Sequence, residues 1–203
     1  KLAIYWIIIL DYIMDLIIST YLNSFLENKF IAWIVFIFAD APIFILPLFL
    51  ISFWFYYNHK NNINWKKTLL YIFYWIVLGI LINLIIQHIV FIDRPLTSLK
   101  NAWKLILNHI PDASFPSDHA TTSFAFLTGL FYFKYKKLFI TLLPIYLLMN
   151  LSRIMWWVHW PSDVLWGLVV WIISWSIINY FKENKYILKL NDFLLKIASF
   201  IKL

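Results

Sequence analysis

Apolar runs of about 20 residues recur along this chain, separated by short polar stretches, and about 20 apolar residues is what a helix needs to cross a bilayer. Of the 203 residues, 63% are hydrophobic and only 13% are charged. A soluble domain is nearer half apolar and about a quarter charged. A soluble fold of this length could not bury so much apolar surface, so its solvent must be lipid. Six spans are expected, at roughly 2–20, 31–57, 67–90, 119–133, 138–157 and 162–181. The expected architecture is therefore all-α: a polytopic membrane helix bundle, one domain over residues 1–203.

Asp11 and Asp15 interrupt the first run, which makes it the weakest span and leaves a partly interfacial position open. No small-residue cleavage site follows it, so a cleaved signal peptide is not expected. Asp40, Pro42 and Pro47 lie in the second run and predict a kink or an interfacial start. Over 185–203 the pattern changes. Ile187, Leu190, Leu194, Ile197 and Ile201 recur at helical spacing opposite Lys185, Lys189, Asp192 and Lys196. That predicts an amphipathic helix lying on the membrane surface.

The formal net charge is +7. In a soluble protein such an excess would point to nucleic acid. Here the basic residues sit in loops between apolar runs, so they report orientation and no nucleic-acid partner is expected. With the N-terminus inside, one side holds Lys1, Lys60, Lys66, Lys67, Lys134, Lys136, Lys137, Lys182, Lys185, Lys189, Lys196 and Lys202. The other side holds Lys29, Arg94, Lys100, Lys104 and Arg153, so the tail is expected in the cytoplasm. Both arginines, with His88, His109, His119 and His159, then lie on the outer side. The chain has no cysteine, which excludes a thiolate nucleophile, a disulfide or a Cys-ligated metal. Three glycines exclude a glycine-rich phosphate loop.

Three outward segments carry the chemistry. In 152–163, His159 and Asp163 are four apart, on one face of a helix. A carboxylate that holds one imidazole nitrogen makes the other a nucleophile or base. Pro161 suits the first turn of that helix. Arg153 lies six residues before His159, and a guanidinium binds phosphate oxygens bidentately. In 114–121, Ser117 is a natural N-cap, and the first-turn N–H groups make an anion site. His119 is placed to give a proton to a leaving oxygen. Asp118 would repel a phosphate unless it points away or pairs with a cation. In 87–95, Arg94-Pro95 ends the third run behind Gln87. Taken singly, these segments read as a salt bridge, a helix cap and a headgroup anchor. Together they do not, because ionisable residues at membrane helix ends seldom gather around a histidine without a task. A zinc site on His119, His159, Asp118 and Asp163 is disfavoured, since two neighbouring arginines would repel a cation. No metal or cofactor is expected. Trp156, Trp157 and Trp160 read as interface anchors.

Taken together the segments resemble the three-part signature of the type 2 phosphatidic acid phosphatase superfamily: K-x6-R-P, then P-S-G-H, then S-R-x5-H-x3-D. Ser152, Arg153, His159 and Asp163 match the third part at every specified position. Pro116, Ser117 and His119 match the second, with Asp118 in place of glycine, and Arg94-Pro95 match the first, with Gln87 in place of lysine. The resemblance covers about 70–181. The departures look like the bacitracin-resistance type of undecaprenyl-diphosphatase, in which the second part commonly reads S-F-P-S-D-H, and the stretch 109–113 looks similar too.

This resemblance implies an enzyme that needs no metal. His159 would attack phosphorus and form a phosphohistidine, with Asp163 orienting the ring. His119 would protonate the leaving oxygen and then help activate water. Arg94, Arg153, Ser117 and Gln87 would hold the phosphoryl oxygens. The substrate implied is a lipid phosphate or diphosphate, first undecaprenyl diphosphate, with phosphatidate, phosphatidylglycerophosphate or a lipid A phosphate as alternatives. The place implied is a bacterial plasma membrane, with the site on its outer face. A silent lipid-phosphate binder or transporter is the alternative of another class; it would need the arginines but not the His–Asp pair. His88 and Asp112 are held only as supporting residues.

Overall fold

The computed structural model describes residues 2–60, 62–95 and 113–200, with side chains described between 12 and 198. Seven helices follow one another: α1 (Leu2–Ser24), α2 (Lys29–His59), α3 (Ile63–Ile89), α4 (Asp118–Tyr132), α5 (Lys136–Met155), α6 (Pro161–Phe181) and α7 (Lys185–Phe200). No strand occurs among the described residues. All six expected spans are helices, and among the described residues α2, α3, α5 and α6 are long and apolar enough to cross a membrane.

α4 departs from the expectation of a full span. Its 15 residues reach only about 22 Å, short of a hydrocarbon core of about 30 Å. It is an internal helix, packed against α3, α5 and α6. Its sequence permits this: Ala120, Thr121, Ser123, Ala125 and Gly129 are small and buried. Small residues let helices approach closely where lipid supplies no hydrophobic drive for association. Gly167 on α6 marks the tightest approach that bears on the site. A Cβ there would lie 2.7 Å from both the Ala120 Cβ and the Ser117 carbonyl oxygen.

α2 carries Pro42 and Pro47 inside a continuous helix, so neither proline ends it. It starts where the Asn28 side chain accepts the Phe30 and Ile31 N–H groups, at 3.0 and 3.3 Å. Its 31 residues reach about 46 Å, well beyond one hydrocarbon thickness.

The main core joins Ile72 and Trp75 of α3, Phe126 and Leu130 of α4, and Tyr146 and Met149 of α5. A smaller core of Val35, Ala39, Met155, Trp156 and Val158 lies under the α5–α6 turn. Trp156 is therefore buried packing against Phe36, not an interface anchor. α7 is held to α3 by Asn191, which accepts from the Tyr74 hydroxyl at 2.8 Å and donates to that of Tyr71 at 3.2 Å. Its apolar residues divide: Ile187 and Leu194 are half-buried, whereas Leu190, Phe193 and Ile197 are exposed.

Candidate active site

The α5–α6 turn sets the geometry. α5 closes with the Val158 N–H on the Arg153 carbonyl at 2.9 Å and the Trp157 N–H on that of Ile154 at 3.0 Å. This is a Schellman pairing, which requires a left-handed residue, and Trp157 supplies it at φ 57°. The chain thus folds back over Arg153, and the His159 N–H also reaches the Arg153 carbonyl, at 3.3 Å. Nucleophile candidate and arginine are joined through the backbone before any side-chain contact forms.

α6 then begins with Pro161. The Asp163 carboxylate reaches back to accept the Trp160 N–H at 2.8 Å, capping the helix. The same oxygen accepts the Ser114 hydroxyl and lies 3.5 Å from His159 Nδ1. The nearer partner of Nδ1 is the Ser114 carbonyl, at 2.9 Å. On the ring's other side, Arg94 Nη1 lies 3.3 Å from Nε2. A carbonyl only accepts and a guanidinium only donates, so the two contacts together fix the tautomer. Nδ1 carries the hydrogen, and Nε2 presents its lone pair toward the arginine. His159 and Asp163 are 2% and 1% exposed, so both side chains are buried. Arg94 is also held by the carbonyls of Val158 (3.0 Å) and Ala113 (3.4 Å).

Arg153 belongs to a second group of contacts. Arg153 Nη1 donates to Asp40 Oδ1 at 2.5 Å and to the Ala39 carbonyl at 3.1 Å, and it lies 3.1 Å from His119 Nε2. His119 Nε2 is 4.0 Å from the Asp40 carboxylate. The structure thus gathers Arg94, His159 and Asp163 in one group and Arg153 and His119 in the other.

Ser117 caps α4, accepting the Ala120 N–H at 3.4 Å, and its own N–H donates to the Asp163 carbonyl at 3.1 Å. Gln87 donates from Nε2 to the Pro116 carbonyl at 3.1 Å, so its amide holds the loop of the second segment. Asp118 has a neutral side-chain partner on α3. The buried Asn83 amide draws its carboxylate at 2.7 Å and also donates to Thr121 Oγ1 at 3.0 Å. His88 is exposed at the end of α3. His109 and Asp112 lie outside the described residues.

Four contributors escaped the sequence reading. Ser114 opens the second segment and carries no signal of its own there. Asn83 gave no signal inside an apolar run. Asp15 accepts the Ser162 N–H (3.0 Å) and hydroxyl (2.5 Å) at the start of α6. Asp40 forms the buried ion pair with Arg153. For both aspartates the available signal was a carboxylate inside an apolar run, a position that demands a partner.

The helix bundle thus sets Arg94 against His159, whose tautomer is fixed and which has a carboxylate behind it, and Arg153 against His119. The family profile of the PAP2 superfamily matches residues 68–186, and the chain belongs to that superfamily. Undecaprenyl-diphosphatase BcrC of Bacillus subtilis (strain 168) is 32% identical over 149 residues, 72% of each chain. No solved structure matches the chain.

Proposed function

We propose that this chain hydrolyses undecaprenyl diphosphate to undecaprenyl phosphate and phosphate, through a phosphohistidine on His159, at the outer face of a bacterial plasma membrane. Membership of the superfamily and the similarity to BcrC support the coarser statement, that it is a membrane-bound lipid phosphatase. The observation that carries the finer reading is the fixed tautomer of His159. Its Nε2 lone pair faces Arg94, where a phosphoryl group would be held.

In this mechanism Nε2 attacks the terminal phosphorus as the bond to the bridging oxygen breaks. The Ser114 carbonyl keeps the Nδ1 hydrogen, and the Asp163 carboxylate offsets the positive charge that develops on the ring. Undecaprenyl phosphate leaves, its oxygen taking a proton from His119. Water then attacks the phosphohistidine and gives a proton back to His119, and phosphate is released. Arg94 and Arg153 stabilise the equatorial oxygens in both steps. The basic-residue asymmetry supports the outward placement of the site and a cytoplasmic tail.

The test is phosphate release by purified protein from undecaprenyl diphosphate, phosphatidate and phosphatidylglycerophosphate in parallel. Undecaprenyl diphosphate is expected to turn over fastest, His159→Ala to abolish release, and excess chelator to leave it unchanged. Faster turnover of phosphatidate would overturn the substrate. Loss of activity in chelator would overturn the mechanism.

A further inference from the structure

Asp40 lies on α2, outside the residues matched by the superfamily profile. Its side chain is fully buried in a helix long and apolar enough to cross a membrane. A carboxylate there is costly unless its partner repays the cost, and here the partner is Arg153 at 2.5 Å. Arg153 is the guanidinium assigned above to the phosphoryl oxygens. The same Nη1 that would meet an incoming phosphate is engaged by Asp40, by the Ala39 carbonyl and by His119. Around the two histidines, Arg94 and Arg153 are matched by the buried carboxylates of Asp40 and Asp163, and Gln87 adds no charge.

Resting on the phosphatase reading, we propose that Asp40 is a positioning residue that acts as an internal competitor for Arg153. It holds the guanidinium toward α2. The phosphoryl group must draw Arg153 away from it, and when phosphate is the product the carboxylate takes the guanidinium back. A site whose competent arrangement is only partly populated binds its ligand more weakly by that fraction. Asp40 therefore weakens the hold on phosphate and speeds its release. The same movement takes Arg153 off His119 Nε2, so binding of a phosphoryl group and exposure of that nitrogen are one event.

The experiment uses the full chain in detergent, with inorganic phosphate as the probe. Its affinity is read both as inhibition of phosphate release and by thermal shift, in the parent protein, Asp40→Asn, Asp40→Ser and Asp40→Glu. The two uncharged variants are expected to bind inorganic phosphate about fivefold more tightly or better. Their kcat should fall about tenfold with a lower KM, as retained product slows turnover. Asp40→Glu should keep the weak affinity of the parent. A merely structural carboxylate predicts the opposite sign, because a misplaced Arg153 binds phosphate less well. Unchanged or weaker binding in both uncharged variants overturns the proposal, as does failure of both to elute as folded protein. If the parent neither hydrolyses lipid substrate nor binds phosphate, the phosphatase reading itself fails. If the parent is active and only the affinity change is missing, this inference alone falls.

Discussion

Ser114 serves the site twice, with its carbonyl on His159 Nδ1 and its hydroxyl on Asp163. The two roles separate by mutation, because Ser114→Ala removes only the hydroxyl. The buried carboxylate then loses one donor while the tautomer of His159 is kept. The expected outcome is a loss of about 1–3 kcal/mol in stability, read from thermal unfolding in detergent, and a fall in kcat of about tenfold. His159→Ala should by contrast remove all turnover. At this scale the sequence was informative where residues that act together are close in the chain. His159 and Asp163, expected on one face of a helix, do meet, but through the cap at the start of α6, because His159 lies in the turn ahead of Pro161. Asp40 and Arg153 lie on separate helices with no spacing to relate them, and only the burial cost of Asp40 hinted at a pair. Gln87 and Asp118 were legible as departures from a pattern, but not as a loop tether and a partner of Asn83. Those roles depend on where α3 and α4 meet.

Among the elements, α1 gains a purpose from Asp15. The first N–H groups of a helix have no partner within it, and a carboxylate there is favoured by the helix dipole as well. Asp15 supplies that carboxylate to α6 from another helix, one residue away from Asp163. Asn23 ties the same helix to the Met155 carbonyl at the end of α5, at 2.7 Å. α1 therefore braces both ends of the turn that carries His159. Asp15→Ala should cost about 0.5–2 kcal/mol in thermal unfolding, the usual range for a lost cap. It should also lower kcat more than KM, since the brace touches no substrate. Helix identity along the chain was readable from apolar run length alone. The internal position of α4 was not, because a short run of small residues can be read as a thin span or a buried helix, and only its neighbours decide.

For the whole molecule, the lack of cysteine turns sidedness into a clean measurement. Any cysteine introduced reports alone. Lys29→Cys, at the start of α2, is expected to react with a membrane-impermeant thiol reagent added to intact cells. Lys185→Cys, at the start of α7, should react only after the membrane is opened. Labelling in the reverse order would invert the bundle and move the proposed site to the cytoplasmic face.

The left-handed Trp157 has a consequence for how this protein could be improved by selection. A bulky residue at positive φ costs roughly 1–2 kcal/mol that glycine would not. Among the described residues its buried indole N–H also meets no acceptor. Stability is thus given up at the turn that presents His159. Trp157→Gly should relieve the backbone, with a higher midpoint in detergent melts. A screen for heat tolerance alone should return it ahead of changes in the main core. If turnover falls in that variant, robustness and catalysis are being traded at a single dihedral angle, and an engineer who wants both must look elsewhere in the bundle.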